Sequence, residues 1–334
     1  MTTAPSVCVV VVNWNGWRDT VMCLESLFRS SGVALQAVVC DNDSGDDSLD
    51  RIRGWAEGRI DAGAEAAGPL RELTSPPLPK PIPCAEYDRA EAEGGGDERA
   101  AAPLVLVRTG ANLGFAGGCN VGMRFALTRG YPYVWLLNND TVVPPDALLH
   151  LVREAERDPA AGMVGSTLRS FHDPASVQAL GYGSYDPWLA LPRHIRRAGG
   201  TAARARRAAY VVGASMLVRR EFLLDVGLLS EEYFLFFEEL DWAMRARAGW
   251  RLGYAPRSVV FHKEGASNGG SSSGRGKSRL ADYHFMKNRI VFTRKYFPRR
   301  LPTVYLALGV AAVRRAARGE WSRARMILEL CRST

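Results

Sequence analysis

The chain opens on a continuous apolar run, VCVVVV (7–12). An unbroken run predicts a strand buried on both faces, since a half-exposed strand would alternate. Beyond Asp19, which can cap a helix, Val21, Leu24, Leu27 and Phe28 recur at helical spacing. A second apolar run, AVVC (37–40), leads straight into Asp41, and SLDRIRGWAE (48–57) is helix-like. From 62 to 103 the pattern fails. TSPPLPKPIP and AEAEGGGDERAAA are dominated by proline, glycine and charge, which predicts an inserted loop. Alternation resumes with a strand at 104–107, a helix at 120–127, a strand at 133–137, a helix at 146–157 and a short strand at 162–166.

This alternation predicts an α/β fold, a mainly parallel sheet flanked by helices. In open sheets of this kind ligands bind beyond the carboxyl ends of the strands. Three predicted strands end in polar clusters, NWNG (13–16), DNDSGDD (41–47) and NNDT (138–141), so these clusters should share one rim. The second half is less regular. YVVGASMLVRR (210–220) reads as one strand with Gly213 inside it, and FFEELDWAMRARAGW (236–250) as a helix. WRLGYA (250–255) and SVVFH (258–262) read as two short strands. ASNGGSSSGRGKS (266–278) reads as a loop, and DYHFMKNRIVFTRKYF (282–297) as a basic aromatic helix. The apolar stretch LPTVYLALGVAAV (301–313) falls short of the ~20 residues that span a bilayer. It predicts an amphipathic helix docked on the protein or, with arginines on both sides, a monotopic contact with anionic lipid at the inner face of a membrane.

Composition narrows the classes. At 47% hydrophobic and 23% charged residues, wholesale disorder is excluded. The six cysteines stand singly, with no C-x-x-C pair. They read as reduced thiols, hence a cytoplasmic protein. The first residues, MTTAPS, lack the basic region of a signal peptide. The net charge is +8, with one cluster at RHIRRAGGTAARARR (193–207). No recognition motif accompanies that cluster, so nucleic acid is not expected as a partner. A solvated loop, or attraction for an anionic nucleotide or lipid phosphate, remains.

Four groups of residues could carry chemistry. DNDSGDD is either an Asx-rich turn or a carboxylate and amide pair reading ribose and base. Asn138, Asn139 and Asp140 at a strand end suit Mg²⁺, which takes one or two protein carboxylates and leaves the rest to phosphate and water. In FFEELDW, Glu238 and Asp241 share a helix face, Glu239 projects about 100° away, and Arg245 is spaced to pair with Asp241. Carboxylates held against aromatic walls are candidate general bases. His262 ends a strand and is a structural histidine or a ligand suited to Mn²⁺. The glycine segment NLGFAGGCNVG (112–122) is either a phosphate-cradling loop or a tight approach to a helix that needs small residues. It is neither G-x-G-x-x-G nor a Walker loop.

Taken in order, VVVVNWNG, VVCDNDSGDD, NLGFAGGCNVG, WLLNNDT, GASMLVRR, FFEELDW and VVFHKEG resemble the inverting GT-A glycosyltransferases, most closely their bacterial rhamnosyltransferase-like branch. The resemblance covers roughly residues 6 to 297. It implies one GT-A domain over 1–297, carrying the 62–103 insertion, and a helical extension over 298–334. It implies that Val12, Asn13, Asp41 and Asn42 lie at the nucleoside, that Asn112, Gly114 and Phe115 belong to the donor loop, and that Asn138 and Asn139 adjoin the donor. Asp140 matches the last acid of the family's D-x-D element and, with His262, would hold Mg²⁺ or Mn²⁺. Glu238 and Glu239 match the family's Glu-Asp motif, with Glu239 in the place of the base and Asp241 as the alternative.

The implied reaction moves a hexose or deoxyhexose from a dTDP- or UDP-sugar to an acceptor hydroxyl, with inversion. The acceptor would be a lipid-linked glycan or a small-molecule natural product. Two rivals remain. A sugar-nucleotide nucleotidyltransferase would place a basic glycine-rich loop after the first strand, where this chain has NWNG. A catalytically silent sugar-nucleotide binding module would not need the acids at 140 and 238–241.

Overall fold

The first apolar run forms β1 (Ser6–Asn13), followed by α1 (Trp17–Leu27), β2 (Ala34–Asp41) and α2 (Ser48–Ala56). Next come β3 (Cys84–Asp88), α3 (Arg89–Glu93), β4 (Leu104–Arg108), α4 (Gly114–Thr128), β5 (Tyr133–Leu137), β6 (Thr141–Val142), α5 (Ala147–Arg157) and β7 (Ala161–Ser170). The second half adds β8 (Val177–Leu180), β9 (Tyr182–Asp186), β10 (Leu191–His194), β11 (Tyr210–Val211), β12 (Ser215–Arg219), α6 (Arg220–Val226), α7 (Glu238–Ala246) and β13 (Arg251–His262). Three helices close the chain: α8 (Arg279–Tyr296), α9 (Leu301–Ala317) and α10 (Trp321–Ser333). This computed structural model describes residues 6–61, 68, 70–197, 208–246, 249–263 and 278–333. The basic run 198–207 and the Gly/Ser stretch 266–277 lie outside the described residues.

The main sheet runs β3-β4-β2-β1-β5-β12-β7-β13-β6, with β8 paired to β7. Strands β3, β4, β2, β1 and β5 are mutually parallel, and β12 enters antiparallel between β5 and β7. The α/β class and the mainly parallel sheet are therefore as the sequence predicts. From β1 the chain steps to β2 on one side and later to β5 on the other. That reversal opens a crevice at the carboxyl ends of β1 and β5, where ligands bind in such sheets. Val7 to Val11 are buried, as a strand covered on both faces requires. Helix α4 lies directly on this strand. A Cβ on Gly122 would stand 2.5 Å from Val10 Cγ1, and one on Gly118 would stand 2.9 Å from Val12 Cγ1. The glycines thus set how closely α4 approaches the strand that carries Asn13.

Several elements differ from the sequence reading. The 62–103 segment is not wholly a loop, because CAEYD forms β3 and pairs in register with β4 from Cys84↔Leu104 to Asp88↔Arg108. Ala85 and Tyr87 turn inward, but an alternation of five residues beside a proline-rich stretch is too short to stand out. The expected strand 210–220 is two strands in two sheets, with the break at Gly213. β11 joins β9 and β10 in a small sheet, while β12 joins the main one. Conversely, WRLGYA and SVVFH are one strand, β13, whose register shifts between Ala255 and Val259. A bulge there accommodates Pro256, which cannot donate to the ladder. Helix α4 begins at Gly114, six residues before the expected start at 120, so the glycine segment is itself helical. Helix α7 begins only at Glu238.

A second apolar cluster, distinct from the main core, joins α8, α9 and α10 through Met286, Ile290, Val304, Leu308, Ile327 and Leu330. Buried Asp282 ties these helices further, accepting from Arg315 at 2.6 Å and lying 3.4 Å from Arg323. No helix among the described residues is long and apolar enough to cross a membrane.

Candidate active site

The three polar strand ends meet, as their common rim requires. Asn13 Nδ2 donates to Asp41 Oδ1 at 2.6 Å and to Ser44 Oγ at 3.1 Å. Thr20 Oγ1 donates to Asn13 Oδ1 at 2.7 Å and accepts from Asn139 Nδ2 at 3.1 Å. A single chain of hydrogen bonds therefore runs from the end of β5, through α1, to the ends of β1 and β2. Asn13 and Asp41 are buried, so this network is fixed in place rather than solvated. Asn42 is turned the other way, its Nδ2 donating to Gly114 O at 2.8 Å. Val12 is half-buried beneath α4.

The approach to α4 is tightly built. Asn112 Oδ1 accepts from Gly114 N at 3.0 Å, and Phe115 N donates to Phe234 O at 2.8 Å. Gly114 has φ +69°, and a Cβ there would stand 2.2 Å from Phe234 O. The reading of this segment as one that needs small residues for packing is supported. Gly114→Ala combines left-handed strain with a backbone clash, and should destabilise the fold by about 2–4 kcal/mol. Chemical denaturation checks this, and a change under about 1 kcal/mol would show that the loop yields.

Asp140 and His262 face each other. His262 Nε2 lies 3.2 Å from Asp140 Oδ1, and both side chains are buried. Strand β6, which follows Asp140 directly, pairs with β13, so Thr141 sits opposite His262. Gln178 on β8 fixes the imidazole. Its Nε2 donates to the His262 carbonyl at 2.9 Å, which leaves its Oε1 to face Nδ1 at 3.1 Å. Nδ1 therefore carries a proton, and in the neutral imidazole Nε2 presents a lone pair toward the carboxylate and toward Asn138 Nδ2 at 3.3 Å. Two lone-pair donors that close repel unless a proton or a cation lies between them. Asp140 and His262 thus fit a divalent cation as a two-residue set, with further ligands supplied by diphosphate and water. Among the described residues no group of three His, Cys, Asp or Glu side chains could do so alone.

The acidic helix start divides into two kinds of carboxylate. Asp241 is fully buried and already paired: it receives Arg245 Nε at 2.9 Å, Lys295 Nζ at 2.7 Å and Tyr296 Oη at 2.7 Å. Among the described residues Glu238 and Glu239 have no such cations. Burial pushes both carboxyls up, and the Glu239 charge beside Glu238 pushes Glu238 further. Glu238 Oε2 has no hydrogen-bond partner among the described residues.

Glu239 lies against the β11–β12 break. A Cβ on Gly213 would stand 2.9 Å from Glu239 Oε1, and the next carbonyl, of Ala214, accepts from Asn138 N at 3.0 Å. Glu239 is thereby one residue removed from the strand end that carries Asp140. The pair is preceded by two aromatic residues in left-handed conformation, Phe236 (φ 68°) and Phe237 (φ 77°). Asn288 Nδ2 braces this turn, donating to the carbonyls of Leu235 and Phe236 at 2.9 Å each. Strain of this kind persists only where neighbours hold it, and it concentrates at functional sites. Gln178, Thr20, Ser44 and Asn288 carry this framework. Ser44 lies within DNDSGDD, whereas Gln178, Thr20 and Asn288 sit in no motif and only the fold brings them to the site.

Comparison with known proteins bears on the family and the fold. The sequence model of a family described as "Glycosyltransferase like family 2" matches residues 97–279. A relative from Mycobacterium tuberculosis, N-acetylglucosaminyl-diphospho-decaprenol L-rhamnosyltransferase, is 30% identical over 203 residues, covering 54% of this chain and 64% of the relative. The chain thus spans less than two thirds of the length of the curated relative it matches. Among solved structures, mannosyltransferase PcManGT from Pyrobaculum calidifontis, in complex with GDP-Man and Mn²⁺, superposes with a TM-score of 0.52 at 16% identity. That match covers 99% of this chain and 87% of the other, and it bears on the fold alone.

Proposed function

The chain belongs to glycosyltransferase like family 2, and from that premise we propose that it moves a hexose or deoxyhexose from a dTDP- or UDP-sugar to an acceptor hydroxyl, with inversion. The observation that carries this reading is the convergence of two unlike groups at the β1/β5 crevice. The Asp140–His262 pair stands at one strand end, and Glu239 touches Gly213 beside it. A divalent cation held by Asp140 and His262 would offset charge on a leaving diphosphate.

The chain's own residues supply the rest of the mechanism. Asn13 and Asp41, fixed by Thr20 and Ser44, offer preset polar atoms for ribose and base. Asn138 and Asn139 flank the donor side, and Asn112, Gly114 and Phe115 shape the approach to α4. Glu239 Oε1 takes the proton of the acceptor hydroxyl as that oxygen attacks the anomeric carbon from the face opposite the diphosphate. The glycosidic bond forms as the bond to the diphosphate breaks, so the configuration inverts in one displacement. Asp241, held by Arg245, Lys295 and Tyr296, serves the structure of α7 rather than proton transfer. By similarity to the M. tuberculosis relative, a lipid-linked acceptor ending in N-acetylglucosamine is favoured over a soluble natural product. The domain limits fit this reading, with 1–297 as the transferase unit and 298–334 as an extension.

A thermal-shift screen of dTDP, UDP and GDP and their sugars, with and without Mn²⁺, tests the proposal. A cognate donor at about 100 times its Kd should raise stability by about 2.7 kcal/mol, and only with the metal. Slow release of nucleoside diphosphate from that donor supports transfer. Release of pyrophosphate from a nucleoside triphosphate incubated with a sugar 1-phosphate would identify a nucleotidyltransferase instead, and binding without turnover a silent module.

A further inference from the structure

The exposed apolar surface of this chain is not scattered. Apart from Leu224, every large hydrophobic side chain exposed among the described residues lies on α8, α9, α10 or the turn at 188–189. That turn is bonded to these helices: Thr303 Oγ1 donates to Trp188 O at 2.7 Å, and Arg289 donates to Leu189 O at 2.6 Å. On α9, Leu306 (71% exposed), Val310 and Val313 (70%) recur at i, i+4 and i+7. Val304, Leu308 and Ala312 occupy the opposite face and are buried in the C-terminal cluster. The helix therefore uses one apolar face to dock on the protein and presents a second to the outside. Trp321 at the start of α10 is 69% exposed, and Trp188 is 57% exposed with the Arg300 guanidinium 4.5 Å from its ring centre.

The charge around this surface has one sign. From 298 to 334 the chain holds eight arginines against two acids, Glu320 and Glu329. Arg315 and Arg323 turn inward to Asp282, whereas Arg299, Arg314 and Arg318 are exposed. An outward apolar stripe, two exposed tryptophans and flanking arginines match the chemistry of a bilayer interface: acyl chains below, anionic headgroups around the rim. A protein partner of the same shape would need a strongly acidic margin.

We propose that the α9–α10 hairpin, with the Trp188 turn, seats this protein on the surface of an anionic lipid bilayer, lying in the interface without crossing it. This does not depend on the identity of the sugar donor. The test is co-sedimentation of the full chain with vesicles of phosphatidylcholine alone and of phosphatidylcholine with phosphatidylglycerol. Binding should be at least about tenfold tighter to the anionic vesicles and should weaken with salt. The double variant Leu306→Ser/Val313→Ser should lose binding at least about tenfold, and Arg314→Glu/Arg318→Glu should lose the preference for anionic lipid. Both keep the buried face of α9 intact, so circular dichroism and the stability of the chain should be unchanged. Wild-type binding by the Leu306/Val313 variant, or no binding to either vesicle, would overturn the proposal. So would a dimer in solution that the same variant disperses, since the stripe would then be covered by a second copy.

Discussion

Glu239→Gln is expected to lower turnover by roughly 10²–10⁴, with donor affinity changed by less than about twofold. Gln keeps the shape and the contact with Gly213 but cannot accept the acceptor's proton. Donor affinity by calorimetry, alongside turnover, separates loss of the base from loss of the site. Glu238→Gln should behave differently. Both carboxyls are raised by burial and repel each other. Glu239 is bonded to the Gly213 backbone while Glu238 Oε2 has no partner among the described residues, so Glu239 is expected to be the first of the two to ionise. Glu238 then keeps its proton, and Gln is a fair copy of a neutral acid. The Glu238 variant should retain activity within about tenfold, whereas Glu239→Gln does not. Turnover should rise with pH along a limb displaced above the ordinary carboxylate value near about 4.3, because the base must be ionised. The linkage to stability has the same origin. Because the folded-state pKa of Glu238 is raised, its favourable contribution is complete below the unfolded value and is lost as pH rises through the folded one. Glu238→Gln should therefore stabilise the fold in neutral solution and have little effect near about pH 4. Equal loss of turnover in both variants would remove the division of roles.

The parts of this site that were legible in sequence are those where a strand stops. An apolar run that ends in Asn13, Asp41 or Asp140 marks a carboxyl end, and parallel strands put such ends on one rim. The convergence of Asn13, Asp41 and Asn139 follows from that alone. What joins the second half to the rim was not legible. His262 reaches Asp140 only because β13 lies between β7 and β6 and pairs with both, and a long strand bulged around Pro256 reads as two fragments. Gln178, which orients His262, lies on β8, where VQAL has neither length nor alternation to announce a strand. The choice between Glu239 and Asp241 was closed to helical spacing as well. Spacing places Arg245 beside Asp241, but Lys295 and Tyr296 come from another helix more than fifty positions away. Gly213 shows the opposite case. Read as a residue within a strand, it is the break that lets β11 leave for the small sheet and brings Glu239 to the rim.

Asp140→Ala is expected to abolish the stabilisation that Mn²⁺ adds to a bound nucleoside diphosphate and to lower kcat/KM by about 10²–10⁴. The argument rests on the lone pairs. Gln178 commits Nδ1 to a proton, so in the neutral imidazole His262 Nε2 and Asp140 Oδ1 meet at 3.2 Å as two acceptors. A divalent cation relieves that repulsion, and so does a second proton on the imidazole. The two cases separate on Gln178→Leu, which removes the group that sets the tautomer without touching either candidate ligand. If a cation is held here, metal affinity should fall by about 10–100-fold while metal-free stability changes little. If the pair serves only as a protonated ion pair, Gln178→Leu and Asp140→Ala should both destabilise the metal-free chain, and Mn²⁺ should have no effect on either. Thermal shift and calorimetric titration of Mn²⁺, each with and without the nucleoside diphosphate, distinguish these outcomes. An Asp140→Ala protein that still gains stability from Mn²⁺ with the nucleotide would remove Asp140 from the metal site.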